Sequence, residues 1–354
     1  MVRPFHIALY LAIVVAAAAG ADFSGAALEP VFSRARAQGL LGAGQEGAVE
    51  IHALARVFPE IGPGVEAVKR DAEGKYYVVA APARSVAIFD TDGKRLGQVP
   101  NEASGGATIV FAEDIDIDAG GRLLVADRGA NAVKIFGSDG ALYGTVPVAS
   151  PTFVVSLLEG EFAVSSLGST PAINIYNAGG KRLQSFGTLP ASPRQFSLDR
   201  YESLGLMCGD LAGHIYFAYA LLPDPVIRKY DRNGYALYEI SLVAEEFAGG
   251  VPGKRPSALS LERRPAAAEK PEVNAIGVDP ATQELWAAVG NALLHFAKDG
   301  ARRTVYRTFT PEGARLEPRT ILVEPDRILL GADPLGIYEF ARPDKGRANS
   351  AAAH

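Results

Sequence analysis

A pattern of short apolar segments separated by turn-forming pairs recurs along most of the chain. In its clearest copy, residues 115–146, Gly120-Gly121 and Asp139-Gly140 separate runs that are rich in Leu, Val and Ile. The runs are four to six residues long. Short apolar runs with glycine turns between them predict antiparallel strands. Each copy therefore predicts a small sheet of four strands.

Five further copies follow the same pattern. They lie at residues 68–99, 162–186, 209–242, 273–306 and 319–344. An aromatic residue closes the third strand of every copy: Phe89, Phe136, Tyr176, Tyr230, Phe296 and Phe340. In five copies a turn pair follows: Asp92-Gly93, Asp139-Gly140, Gly179-Gly180, Asn233-Gly234 and Asp299-Gly300. Such pairs accept the positive φ of hairpin turns, and we expect the aromatic residues to pack between neighbouring sheets.

The copies follow one another at intervals of about 40 to 65 residues. Repeats of four short strands at such intervals predict the blades of a β-propeller around a central channel. The predicted fold is all-β with six blades. The sixth copy stops at about Asp344 without a fourth strand, and an open sheet edge would be a liability. Residues 51–58 end in an apolar stretch that resembles the ends of other outer strands. We expect this N-terminal strand to complete the last blade and close the ring.

Residues 115–146 resemble an NHL repeat, with an I-x-I-D start, a V-A-D run ending at Asp127, then Asn131 and an I-F-x-x-D-G signature. The resemblance extends over about residues 60–344 and implies a six-bladed, secreted propeller. In the third, fourth and sixth copies the polar residues at these two positions are mostly absent. The lyases among NHL propellers rely on a His-bound metal, and the matching ligands are absent from this sequence. The Gly-His and Trp-Asp marks of WD40 blades are absent too.

The first 21 residues have the layout of a secretory signal peptide, because Arg3 precedes an apolar run from about Ile7 and small residues end at Ala21. The alternative is an uncleaved anchor, but the run is shorter than the ~20 apolar residues that span a bilayer. We expect a periplasmic or secreted protein with no membrane span after cleavage. Residues 22–50 are a predicted linker and residues 345–354 a predicted disordered tail.

The net charge of −5 and pI of about 5.7 provide no broad basic surface, so nucleic acid is excluded as an expected partner. The only cysteine, Cys208, allows no internal disulfide, and its apolar neighbours predict a buried thiol. We expect a monomer that is stabilised by its core alone.

Candidate site residues occupy one repeated position near the start of the inner strands, where the channel mouth is expected. This position holds Glu66, Glu113, Gly205, Asn274 and Arg319, with Pro151 in the third copy, and Asp114 adjoins Glu113. The predicted ligand-binding residues are Glu66, Glu113, Asp114, Asn274 and Arg319.

Two interpretations of these mouth residues remain open. Oxygens of Glu66, Glu113 and Asn274 suit Ca²⁺, and in residue type they resemble the metal site of six-bladed lactonases of the gluconolactonase and paraoxonase group. The other interpretation is an ion pair between Arg319 and Glu66. Because the fixed charge of Arg319 opposes a second cation, the ion pair is favoured and no cofactor is expected.

Two connections, residues 187–204 and 243–272, are unusually long, as is common for binding loops or mobile segments. Candidate partner-binding residues within them are Phe196, Tyr201, Phe247, Lys254, Arg255, Arg263 and Arg264. The predicted function is noncatalytic binding of a protein, peptide or glycan through the loop face. The alternative is a metal-dependent lactone hydrolase or lyase with its site at the channel mouth, and the sequence does not decide whether the protein is an enzyme.

Overall fold

The computed structural model describes residues 48–169, 171–187, 205–219, 225–242 and 273–345. The predicted signal peptide, nearly all of the predicted linker, most of the tail and nearly all of both long connections lie outside the described residues. The described chain forms 25 β-strands in six sheets. No helix in these ranges combines the length and apolarity needed to cross a bilayer.

The first three blades follow one another along the chain. Blade 1 contains β3 (Val65–Arg70), β4 (Tyr76–Ala80), β5 (Val86–Phe89) and β6 (Arg95–Val99). Blade 2 contains β7 (Ala112–Ile117), β8 (Leu123–Asp127), β9 (Ala132–Phe136) and β10 (Leu142–Pro147). Blade 3 contains β11 (Pro151–Ser156), β12 (Phe162–Ser166), β13 (Ile173–Tyr176) and β14 (Arg182–Phe186).

The other three blades include the strands at the N-terminal end of the described chain. Blade 4 contains β15 (Gly205–Gly209), β16 (Ile215–Tyr219), β17 (Val226–Tyr230) and β18 (Ala236–Ser241). Blade 5 contains β19 (Val273–Val278), β20 (Leu285–Val289), β21 (Ala292–Phe296), β22 (Arg302–Phe309) and β1 (Val49–His52). Blade 6 contains β23 (Thr320–Val323), β24 (Arg327–Ala332), β25 (Gly336–Ala341) and β2 (Ala55–Val57).

The first strands of the six blades form a closed ring. Each of β3, β7, β11, β15, β19 and β23 contacts the next, and β23 contacts β3. Within every blade the four main strands pair in an antiparallel manner. The predicted six-bladed propeller is therefore confirmed.

The N-terminal strand closes the ring as expected, because β2 pairs with β25 through Ala55↔Glu339 and Val57↔Ile337. The preceding strand β1 was not expected: it pairs in parallel with β22 and adds a fifth strand to blade 5. Only part of the segment 51–58 therefore belongs to blade 6, and residues 49 and 50, placed in the linker by the sequence, are strand. The sequence missed β1 because parallel pairing at a sheet edge depends on distant backbone groups and leaves no local turn signal.

The recurrent aromatic residues lie between blades, and all of them except the half-buried Tyr176 are buried. Each apolar cluster combines residues of adjacent blades; in one of them Tyr77 and Val79 of blade 1 pack with Ile115 and Val125 of blade 2. The turn pairs adopt the predicted conformation, as Gly93 has a φ of 79°. Local turn chemistry and inter-blade packing thus fix the geometry of the inner strands that surround the channel.

Candidate ligand-binding site at the channel mouth

Four inner strands carry a β-bulge at their second residue. In β3, for example, Val65 pairs with Ala80 and Ala67 with Val79, which leaves Glu66 as the extra residue. The other bulged residues are Glu113, Thr152 and Asn274. A bulge bends its strand and changes the direction of a side chain, and bulges are frequent beside functional sites.

The bulges correct one expectation for the third blade. The sequence alignment placed Pro151 at the repeated position, whereas Thr152 is the bulged residue there. The register shift moves the position by one residue, and sequence spacing does not reveal it. The mouth of the channel therefore contains Glu66, Glu113, Thr152 and Asn274 at equivalent places, with Arg319 immediately before β23.

Glu66 and Arg319 are exposed charged residues on adjacent blades. Partial desolvation raises the pKa of Glu66, and the nearby carboxylates of Glu113 and Asp333 raise it further. The guanidinium groups of Arg319 and Arg128 act in the opposite direction. The structure therefore brings Glu66, Glu113 and Arg319 within electrostatic reach, but no ion pair within 4 Å joins Glu66 to Arg319 in the described chain.

Glu113 instead forms an ion pair with Arg128, which follows β8 in the same blade. The Arg128 guanidinium lies over the ring of Phe111, 5.1 Å from its centroid. Phe111 is held in turn by its backbone N–H, which donates to Asp127 Oδ1 at 2.9 Å. These contacts hold the Glu113 side chain at the rim of blade 2.

The other bulged residues also make contacts within their own blades. Asn274 Oδ1 accepts a hydrogen bond from the backbone N–H of Gly290 at 2.7 Å. Thr152 Oγ1 lies 2.9 Å from Ser165 Oγ, also at hydrogen-bond distance. Among the described His, Cys, Asp and Glu side chains, three ligand atoms converge only at Glu284, His295 and Asp344, away from the mouth. The mouth geometry thus gives no direct support to the predicted Ca²⁺ ligand set.

The two polar residues of the NHL-like signature support the mouth structurally. Asp127 is fully buried, and it accepts hydrogen bonds from the backbone of Val110 and from Lys134 Nζ, the latter at 2.6 Å. Asn131 has a φ of 52°, and its Oδ1 accepts from the backbone N–H of Ser150 at 2.9 Å. Both residues fix loops that border the channel mouth.

Below the mouth, the inner strand of blade 2 presents two aspartates to blade 3. Asp114 is buried, and its Oδ2 accepts a hydrogen bond from the Val154 backbone at 3.1 Å. Asp116 Oδ2 accepts from the backbone and hydroxyl of Ser156, at 2.7 and 2.9 Å. Lys69 of blade 1 places its Nζ 3.5 Å from Asp116 Oδ1. We call Lys69, Asp114, Asp116 and Cys208 the channel cluster.

Burial and electrostatics set the protonation of the channel cluster. Burial raises the pKa of Asp114 to about 7, and the charge of Asp116 adds to the rise, while Lys69 opposes it. Burial also raises the pKa of Cys208 to about 12, which keeps the thiol protonated. The prediction of a buried cysteine is therefore confirmed, and Asp114 is the member that titrates near neutral pH.

Asp114 was predicted to bind a ligand at the mouth beside Glu113, whereas its carboxylate is buried and accepts a hydrogen bond from Val154. Lys69 and Asp116 were not predicted. The D-I-D-I run that begins at Asp114 contains both aspartates, but nothing in the sequence reveals that a lysine from the preceding blade lies close to Asp116. The candidate partner-binding residues of the two long connections lie outside the described residues and stay predictions: Phe196, Tyr201, Phe247, Lys254, Arg255, Arg263 and Arg264.

Comparisons with known proteins support the fold. The WD40 repeats of RRP9 have a TM-score of 0.56 at 8% identity, over 83% of this chain and 99% of that chain. A catalytically inactive His-to-Ala variant of virginiamycin B lyase from Staphylococcus aureus, crystallised with quinupristin, has a TM-score of 0.51 at 13% identity, over 80% and 82%. No family model matches the chain, and no curated protein matches it.

Proposed function

We propose that this protein is an exported, noncatalytic β-propeller that binds a protein, peptide or glycan partner through the face at which its inner strands begin. The observation that supports this function is the pair of exposed, opposite charges, Glu66 and Arg319, on adjacent blades at the channel mouth. Neither side chain has an ion-pair partner within 4 Å among the described residues. Both are therefore available to a partner.

The remaining mouth residues give this surface its rigidity. Glu113, Thr152 and Asn274 each hold a neighbouring loop or strand through the contacts described above. A surface that is already ordered loses less conformational entropy when it binds a partner. Glu113, Thr152 and Asn274 thus keep the mouth ordered, and we expect Glu66 and Arg319 to contact the partner.

The two charges favour a polypeptide among the proposed partners. A protein or peptide segment supplies cationic and anionic groups for Glu66 and Arg319, whereas a neutral glycan supplies neither. Complementary charges contribute mainly to specificity and to the rate of association. We therefore place a polypeptide segment with both charge signs first among the partner classes.

Charge reversal tests this function. The tagged mature protein is used to capture partners from the periplasmic and secreted fractions of its own organism, and bound proteins are quantified. Glu66→Lys and Arg319→Glu are each expected to lower capture of the specific partner about tenfold, because the loss of a complementary charged contact is worth about 1.4 kcal/mol or more.

Matched controls lie at the other end of blade 1. Glu73 and Lys94 are exposed in turns that follow β3 and β5. Glu73→Lys and Lys94→Glu apply the same charge changes away from the mouth and are expected to leave capture unchanged. Equal loss in the control variants, or full capture by both mouth variants, would contradict binding through the mouth.

The buried Asp114 favours a second candidate function, a propeller enzyme that acts as a metal-dependent lactone hydrolase or lyase. A carboxyl group with a pKa near 7 beside Lys69 has the properties of a general acid or base. In this alternative Ca²⁺ would be held by Glu66, Glu113 and Asn274. Equilibrium dialysis tests the metal: no binding at millimolar Ca²⁺, or binding unchanged by Glu66→Gln and Asn274→Ala, would rule out that site.

A further inference from the structure

The six inner strands place an unbalanced negative charge in the channel below the mouth. Apart from the bulged glutamates of the mouth, the charged residues of these strands are Lys69, Arg70, Asp114 and Asp116. Arg70 forms an ion pair with Glu324, which follows β23, with Nη1 3.2 Å from Oε1. One lysine is therefore left to balance two aspartates, and the channel carries one net negative charge when both aspartates are ionised.

The channel cluster is arranged across the channel, and solvent reaches it. Lys69 belongs to β3 and Asp114 to β7, yet the charges of both act electrostatically on Cys208 in β15. Since β3 and β15 are not neighbours in the ring, these residues approach one another across the channel. The side chains of Lys69 and Asp116 keep 24% and 18% of their surface exposed. The channel therefore contains space that a ligand can enter.

Asp114 is the acidic member of the cluster whose charge has no cation beside it. The residue is 5% exposed, and the backbone N–H groups of Val154 and Ile115 donate to its carboxylate. Lys69 forms its ion pair with Asp116, and no cationic side chain in the described ranges lies within 4 Å of Asp114. A buried charge is costly unless an opposite charge accompanies it. This unpaired, buried carboxylate indicates a cationic ligand.

The position of Asp114 along β7 makes it the first acidic group below the mouth. It follows Glu113 directly, and Asp116 lies about 7 Å further along the strand, because a strand rises about 3.3 Å per residue. A side chain that enters from the mouth therefore meets Asp114 first. Lysine suits this path, since its charge stands at the end of a long, flexible stem.

The hydrogen bonds in the channel favour an ammonium group over a guanidinium group. A guanidinium binds a carboxylate best when it contacts both oxygens. Backbone donors already contact the carboxylate of Asp114, and Ser156 donates to Asp116 Oδ2 from its backbone and its hydroxyl. An ammonium group is a compact point charge, so contact with a single oxygen is sufficient.

We propose that the channel binds the ammonium group of a lysine side chain of the partner, with Asp114 as its counter-ion. This inference rests on the proposed function, in which the partner is a polypeptide that contacts Glu66 and Arg319. The partner's lysine then passes between these mouth charges into the channel. Lys69 limits the affinity, because like charges repel each other.

The test uses Nα-acetyl-lysine methylamide as its probe, which presents one lysine side chain without backbone charges. Its binding to the mature full-length protein is titrated by saturation-transfer difference NMR at low ionic strength and pH 8, where Asp114 is ionised. We expect saturable binding in the millimolar range. The norleucine analogue, which has no charge, should not bind, and the arginine analogue should bind more weakly than the lysine probe.

Three variants connect probe binding to the channel. Asp114→Asn keeps the size of the side chain and should weaken binding about tenfold, through the loss of one charged contact. Lys69→Met should strengthen binding about tenfold, because it removes a competing cation, and an unfolded variant could not give this result. Glu73→Gln also removes one negative charge, in the exposed turn at the other end of blade 1, and should leave binding unchanged.

The channel site is overturned if the lysine probe does not bind, if either analogue binds as tightly, or if Asp114→Asn and Lys69→Met leave the affinity unchanged. Such a result leaves the proposed function intact as long as Glu66→Lys and Arg319→Glu lower partner capture. Conversely, full capture by both mouth variants together with probe binding that depends on Asp114 would support the ammonium site and contradict the proposed function.

Discussion

At the scale of single residues, the balance between burial and charge in the channel cluster determines how the protein responds to pH. Asp114 is buried beside Asp116, and both effects favour its neutral form. Lys69 favours the charged form but lies closer to Asp116, at 3.5 Å. Burial outweighs the attraction of Lys69, and the pKa of Asp114 rises to about 7.

This raised pKa predicts a pH-dependent stability. A carboxyl with a folded-state pKa above its unfolded value stabilises the fold fully below about pH 4, and that stabilisation is lost as the pH rises through about 7. Between pH 5 and pH 8 the loss is on the order of 2 kcal/mol. Asp114→Asn should remove this part of the pH dependence, as measured by urea unfolding at both pH values. An equal change in the free energy of unfolding between pH 5 and pH 8 in wild type and in Asp114→Asn would show that Asp114 does not titrate in this range.

Individual residues also show how far sequence reasoning reaches. Glu66, Glu113 and Asn274 were predicted to share one position because the repeats align locally, and the structure places them at equivalent bulges. The ion pair between Lys69 and Asp116 was not predicted, because the two residues belong to different blades. Side-chain contacts between repeats depend on blade angle and register, which a repeat alignment does not contain.

At the scale of elements, the short strand β2 completes the ring. It pairs with β25, and the residue that follows it, Phe58, is buried against Tyr76 and Phe89 of blade 1, with ring centroids 5.2 and 4.7 Å apart. The N-terminal segment thus connects blade 6 with blade 1 by hydrogen bonds and by aromatic packing. The strand was predictable because the incomplete last repeat required a partner.

Phe58→Ala is expected to lower the free energy of unfolding by about 3–5 kcal/mol, because it removes a buried ring from the closure. The backbone strain at this positive φ is similar for both residues, so the change reports packing. Leu54→Ala in the same segment serves as the control, since Leu54 is 63% exposed and should cost less than about 0.5 kcal/mol. Chemical denaturation followed by circular dichroism measures the free energy of unfolding of both variants. An equally small decrease in the two would mean that Phe58 contributes little to closure of the ring.

At the scale of the whole molecule, the charges proposed for recognition lie at one end of the ring. The mouth holds the starts of the inner strands, with the free charges of Glu66 and Arg319, and both long connections lead back to inner strands at this end. The β3–β4 and β5–β6 turns, which hold the exposed Glu73 and Lys94, lie at the other end. This separation makes variants in those turns suitable controls for variants at the mouth.

The most direct test of the proposed function is photo-crosslinking from the two ends of one blade. A photoreactive amino acid replaces Arg84, exposed in the β4–β5 connection at the mouth, or Lys94, exposed in the β5–β6 turn at the other end. The protein is then irradiated in the periplasmic or secreted fraction of its own organism. We predict a defined covalent adduct with a polypeptide from position 84 and none from position 94. An adduct from position 94 alone, or equal adducts from both positions, would contradict recognition at the channel mouth.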